Sequence, residues 1–434
     1  MANRYWVGGT GTWNTSSTTN WSASSGGASG ASVPTASDSV FFDQSSTYTV
    51  TLTGALTCLD FTVSAGTVTF SSTGTLSISG ALSLVAATVW SATGTITFAA
   101  TSGTNTITTN GVSISAPITF NGVGGTWQLQ DALTIGSTRQ IALTSGTLDL
   151  NNYTMTSGSF SSNFSTARNL AMGTGKIVIT GNSGNVIATS TATNLTVTGS
   201  KRFELSYGGS AGTRTILGAT TATAIEGTNI LDYFIIDGLD TVTFTGARAY
   251  GTIDFSSGAT TFTGTWQNAT NTIVVYGNLI LNSTMAVGSG ADIVSMQATS
   301  GTKTITSAGQ TMDFPFAING LGGTFACSDA LTLGSARELR LTNGTLQLKA
   351  GVTSTIGSLT TTGTNQRFLQ STLSGTQATL SDASGTNSVS YLTIKDSNAT
   401  GGATFNAFAS NFNVNNGNNS GWIFQTGSMF LMFN

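Results

Sequence analysis

From residue 44 onward the chain alternates apolar and polar residues in short runs. Thr47-Tyr48-Thr49-Val50-Thr51-Leu52, Gly66-Thr67-Val68-Thr69-Phe70 and Gly74-Thr75-Leu76-Ser77-Ile78 put apolar side chains at every second position. That period predicts strands with one buried face and one wet face. Gly-Thr or Ser-Gly-Thr stands at the strand entrances, where a turn residue is needed. No stretch sustains a 3.6-residue apolar stripe and good helix formers are few, so the expected fold class is all-β with very little helix.

One fifty-residue stretch occurs twice. Thr101–Leu150 recurs without a gap as Thr299–Leu348, with Pro117 on Pro315, Gly122, Gly124 and Gly125 on Gly320, Gly322 and Gly323, Trp127 on Phe325, Asp131 on Asp329 and Arg139 on Arg337. Weaker echoes widen the duplication. Asp60-Phe61 matches Asp254-Phe255, Arg168-Asn169-Leu170 matches Arg367-Phe368-Leu369, and Asn194-Leu195-Thr196-Val197 matches Tyr391-Leu392-Thr393-Ile394. Tandem self-similarity is the signature of a repeat architecture. The expected arrangement is an elongated β-solenoid or β-helix-like stack with two tandem homologous segments. Residues 1–57 form a cap and first strands, 58–200 repeat segment one, 201–251 a connector, 252–398 repeat segment two, and 399–434 a closing segment with an apolar tail. A string of β-sandwich domains is the alternative, because strand alternation is the same in both.

Composition narrows the function. Of 434 residues only 7% are charged, 54 are Gly and 3 are Pro; ordinary domains carry roughly a quarter charged residues. Low charge with abundant Thr, Val and Ile is the reverse of a disordered chain. A net charge of −3 argues against nucleic-acid binding, which wants a basic stripe. There is no His, which removes the commonest general base, metal ligand and triad partner. Cys58 and Cys327 occupy non-equivalent positions of the two copies and are expected as buried free thiols. No apolar run approaches the roughly 20 residues of a spanning helix, and no secretory leader opens the chain. The expectation is a chain made in the cytoplasm, without membrane insertion.

Residues 1–43 hold three of the seven tryptophans, Trp6, Trp13 and Trp21, among glycines and serines. They are expected to form a cap over an open strand end, since exposed edges must be covered and solenoids need atypical ends. The order Tyr5-Trp6-Val7-Gly8-Gly9, Gly11-Thr12-Trp13, Asn20-Trp21-Ser22, Gly26-Gly27, Pro34 and Asp38-Ser39-Val40-Phe41-Phe42 resembles the opening of structural proteins of tailed, especially marine, bacteriophages. Ala399-Thr400-Gly401-Gly402-Ala403-Thr404-Phe405 and Asn419-Ser420-Gly421-Trp422-Ile423-Phe424 resemble their closing segment. A weaker similarity is to autotransporter-like β-solenoid surface proteins. The resemblance implies a virion location and a fibre, spike or surface decoration. It also implies other virion proteins as partners, contact with a host cell-surface glycan or protein, and threefold self-assembly. The terminal Met429-Phe430-Leu431-Met432-Phe433 is expected to be an assembly or docking patch, folded back on the stack or buried against a neighbour.

Catalytic chemistry has one candidate. Glu226, Asp232, Asp237 and Asp240 put four carboxylates close together in the connector, and glycosidases need two at a set separation. Asp237-Gly238 and Asp240 read more naturally as turn residues between strands. Asp131 and Asp329, each in an Asp-Ala-Leu-Thr setting, and Arg139 and Arg337 are present in both copies and are read as scaffold. No cofactor or metal is expected: zinc spacing is absent, the nonapeptide calcium-roll pattern is absent, and Gly122-Val123-Gly124-Gly125 does not lead into a helix as a phosphate loop would.

Overall fold

Strands of this chain pair in parallel with the strand one coil later, so that like stacks on like. A computed structural model describes residues 1–207, 209, 212–258, 262–268 and 271–425. Met1–Tyr207 with Thr223–Leu231 form one compact unit, and Gly208–Ala222 with Asp232–Asn434 form the other. The chain is a β-solenoid of about 17 turns, and the registers advance from 20 residues per coil, Leu56 to Leu76, to 28, Arg214 to Val242. Among the described residues the only helical element is the 3-10 turn Ala409–Asn411.

In the first unit each coil contributes to three ladders. The first ladder stacks Val40, Phe61, Leu82, Ile107 and Leu129, and continues through Trp127, Leu148, Leu170 and Val197. The second stacks Val50, Phe70, Trp90, Ile114 and Ile135. The third stacks Leu56, Leu76, Ile96, Ile118, Ile141, Phe160 and Ile187. All of these are buried. Parallel sheets are usually covered on both faces and read as continuous apolar runs. Here the sheets wrap around their own core and leave the outer face wet, so the alternation survives. Outward positions take Thr, whose branched side chain suits a pleated surface. The parallel ladders replace the antiparallel sheets of the sandwich alternative; among the described residues the exceptions are two short antiparallel pairings, Tyr5–Trp6 with Trp21–Ser22 and Ala219–Thr220 with Arg248–Ala249.

The duplicated stretches have one strand order and one register. Ile118 pairs with Ile141 in the first copy and Phe316 with Leu339 in the second, and the long strands Ile118–Leu129 and Phe316–Cys327 carry the same irregularity after Phe120 and Ile318. The bend explains the shared glycines. A Cβ at Gly122 or Gly125 would stand 1.8 or 2.1 Å from the Ala100 carbonyl, and at Gly320 or Gly323 2.0 or 2.1 Å from that of Ala298. No side chain fits where one coil's backbone crosses this closely over the previous one.

The same comparison isolates a cost. The Trp127 indole N–H is buried without an acceptor, and Phe325, its counterpart, is equally buried with no donor to satisfy. Trp127→Phe is therefore expected to change unfolding free energy little, since removing an orphan donor returns about 1–3 kcal/mol against the cost of lost volume. Phe325→Trp adds both an orphan donor and excess volume, and is expected to destabilise by about 2–5 kcal/mol. Paired denaturant titrations check the asymmetry; equal costs would refute the orphan-donor account.

The N-terminal tryptophans close the first unit. Residues Trp21–Ser22 run back antiparallel across Tyr5–Trp6. Trp6, Trp13 and Trp21 are 0–1% exposed, with Trp6 and Trp13 edge-on to Trp21 at 5.2 and 5.1 Å. Trp13 lies 6.3 Å from Phe61, so the cluster is continuous with the solenoid core. Residues 201–251 carry coil strands of their own: Arg202–Leu205 in the first unit, and Thr213–Leu217, Asp232–Ile235 and Thr241–Phe244 in the second. In the closing segment Thr404–Asn406 and Trp422–Ile423 continue the parallel pairing, with Trp422 packed 5.2 Å from Phe405. Cys58 and Cys327 are free and buried; burial raises both thiols, Cys327 to about 12. The patch Met429, Phe430, Leu431, Met432 and Phe433 lies outside the described residues.

Candidate functional site

Charged side chains in this fold are used first to hold coils together. Asp131 accepts the Thr109 backbone N–H at 2.9 Å and the Asn110 N–H. Asp329 accepts the Ser307 and Ala308 N–H groups at 2.8 and 2.6 Å. In both copies the carboxylate satisfies two donors of the turn one coil earlier. Asp60 does similar work, accepting Ala81 N–H at 2.9 Å and the Ser39 hydroxyl at 2.8 Å. Arg337 pairs with Asp313 at 2.7 Å, and its hydrogen bond holds the Asp313 carboxyl below the usual range. In the first copy Ser115 occupies the place of Asp313, so Arg139 lacks that carboxylate.

Glu226 belongs to the first unit and Asp232, Asp237 and Asp240 to the second. Asp232 accepts the Thr252 N–H at 2.6 Å. Asp240 is fully buried against Arg214, which donates to its Oδ1 at 2.8 Å, to its Oδ2, and to the Asp237 carbonyl at 3.1 Å. Glu204 sits between Lys176 at 2.7 Å and Arg202 at 2.6 Å. Burial pushes its carboxyl up, but the hydrogen bonds from both cations outweigh this and hold it below the usual range. Among the described residues no three His, Cys, Asp or Glu stand together as metal ligands.

Sequence reasoning noted Arg168 and Arg367 only as an echo, and the structure gives them a role. Arg168 is 3% exposed and Arg367 0%, and neither meets a carboxylate. Arg168 donates to the Ser162 hydroxyl at 2.9 Å and to the carbonyls of Thr166 at 2.6 Å, Thr191 at 2.8 Å, Thr193 at 3.3 Å and Phe164. Arg367 donates to the carbonyls of Thr342, Gly363 and Ser390 at 3.2, 3.0 and 2.7 Å. Burial lowers the pKa of both, yet a guanidinium stays charged in a protein. A fork of donors gathers carbonyls from neighbouring coils. The signal available beforehand was a lone cation kept at the start of a duplicated strand.

Over Arg168 the two copies part company. A groove of about 420 Å³ opens on the first ladder of the first unit, lined by Gly146, Thr147, Arg168, Asn169, Asn194, Thr196 and Thr198 among others. Thr147, Asn169 and Thr196 stand in register on three successive coils. Asn194 holds a left-handed backbone, φ 59°, and donates its amide to the Ser165 carbonyl at 3.0 Å. In the second copy Phe368 takes the place of Asn169 and Tyr391 that of Asn194, and Tyr391 stacks on Phe412 at 4.6 Å. The scaffold arginine is common to both copies, as are the threonines at 147 and 196, which match Thr345 and Thr393; Asn169 and Asn194 belong to one.

Set against family models, characterised proteins and solved structures, this chain matches none of them.

Proposed function

We propose that this chain is a non-enzymatic structural component of a tailed-phage virion, a fibre, spike or surface decoration that self-associates and docks to other virion proteins. The observation that carries the reading is where the charges go. Asp131 and Asp329, and Arg168 and Arg367, bind turn and coil backbone in both copies, and of the connector carboxylates Asp232 is engaged with backbone and Asp240 with Arg214. Chemistry invested in stacking coils suits a protein whose task is to be a rigid, hydroxyl-surfaced body. The resemblance of both ends to phage structural proteins supplies the particle, and Met429–Phe433 supplies an apolar patch that symmetric assembly would cover. The reading is tested by locating the chain. Antibody raised against it should decorate intact particles, and particle images should show its density in copies related by threefold symmetry. Particles whose protein inventory lacks the chain would end the proposal. Host attachment is the second reading, and the groove over Arg168 favours it.

A further inference from the structure

We propose that residues 429–433 dock on their own chain as one more rung of the second unit, in parallel with Val414–Asn415 and over the ring of Phe412. The inference goes beyond the virion reading and does not rest on it. The first observation is an apolar outer column. Phe368, Thr393 and Val414 stand in register on three successive coils. Phe368 is 40% exposed, Val414 47% and Phe412 61%. Beside them Tyr391 stacks on Phe412 at 4.6 Å. Both rings are carried on left-handed backbone, φ 52° and 61°. That conformation suits Asn, as at the matching Asn194, and is rare for a bulky side chain. Strain of this kind persists where the side chain has a task, and here it lines up rings from coil to coil.

The second observation is an open edge. Among the described residues Val414–Asn415 pairs only with Leu392–Lys395. Asn416 donates its N–H to the Ile394 carbonyl at 2.8 Å, so alternation turns the Asn415 N–H to the open side, an edge that invites pairing. The third observation is the path of the chain. Trp422 and Ile423 stand on Phe405 and Asn406, and the Phe424 carbonyl accepts the Ala409 N–H at 3.1 Å. The coil is repeating the one beneath it. On that path Val414 follows Asn406 by eight residues, and Leu431 follows Ile423 by the same eight. At this pace Leu431 lands on Val414 and Met429 on Phe412, and Phe430 and Met432 turn inward. Residues 426–434 can span up to about 30 Å, and the next rung is only ~4.8 Å away. So short a tether gives the chain's own segment a high effective concentration over a second copy's.

Disulfide trapping in the full chain tests register and partner together. Val414→Cys with Leu431→Cys puts two thiols on neighbouring strands at ~4.8 Å, within disulfide range, while Cys58 and Cys327 are buried. Mild oxidation is expected to give a crosslink within one chain, found by mass spectrometry in the monomer band. Its yield should be at least tenfold that of Val414→Cys with Phe430→Cys, whose side chains face opposite ways. Amide exchange at Asn415, read by NMR, should quicken at least tenfold in Leu431→Asp and in a chain stopped at Gln425, with the circular dichroism spectrum unchanged. Equal trapping of the two cysteine pairs means a segment without register and overturns the inference. Crosslinks found only between chains put a second copy's segment on the edge and overturn it as well, as does an Asn415 amide indifferent to both changes. Particle labelling is scored separately, so either reading can fail while the other stands.

Discussion

Removing residues 1–38 is expected to convert a well-behaved protein into one that aggregates. The deletion takes away Trp6, Trp13 and Trp21, each at most 1% exposed, and with them the strand Asn3–Trp6 that pairs with Ser39–Phe42. Burial of a large apolar side chain is worth roughly 1.5–3 kcal/mol, so three tryptophans together represent a large share of the 5–15 kcal/mol typical of a domain. The loss is also qualitative. Ser39–Phe42 would become the terminal strand, its outer N–H and C=O groups unpaired and Phe42 uncovered, which is a template for edge-to-edge association. Light scattering should rise with concentration, and a dye that binds exposed apolar surface should fluoresce. The point substitution Trp21→Ala, which leaves the strands in place, should cost about 3–5 kcal/mol. A truncated chain that melts as the full chain does and scatters no more light would show that the segment is an appendage.

The second large effect is expected at the buried pair of the second unit. Arg214 and Asp240 are both fully buried, and Arg214 lies in a strand paired with Thr241–Phe244, opposite Val242. Asp240→Ala leaves a guanidinium in the interior with the Asp237 carbonyl as its remaining acceptor, and should destabilise the unit by about 3–5 kcal/mol. Arg214→Met strands the carboxylate and should cost a similar amount. The double replacement Arg214→Met with Asp240→Leu should recover most of the loss, because desolvating two ions offsets much of their attraction and the Arg214 Nη1 atom already lacks an acceptor. Urea titration with hydrogen exchange read at Thr241–Phe244 resolves the three variants. If the double variant is as damaged as the sum of the singles, the pair is a source of stability and the desolvation argument fails.

Both predictions rest on features of different legibility. The cap could be anticipated, because three tryptophans set among glycines and serines cannot form a core by themselves and need a surface to lie on. Which surface was not readable: Trp13 meets Phe61 and Trp6 meets Phe42 only after the chain has turned back on itself at Trp21. Asp240 read as a turn residue, and its partner Arg214 could not be inferred, since nothing local links positions one coil apart.

The sequence by itself determined the strands, the absence of sustained helical periodicity and the two copies, because alternation, turn glycines and self-similarity are local or repeated signals. It also marked Asp131 and Asp329 as paired features, which the structure places on matching turns. Tertiary structure decided between stack and sandwich. Inward–outward alternation is the same in both, and the choice lies in whether Leu56 pairs with Leu76 and Leu76 with Ile96 in parallel. It decided the groove for the same reason. Asn169 is an ordinary outward residue of its own strand, and its Oδ1 atom becomes buried and unpaired only when Thr147 and Thr196 are stacked on either side by coils that close through space.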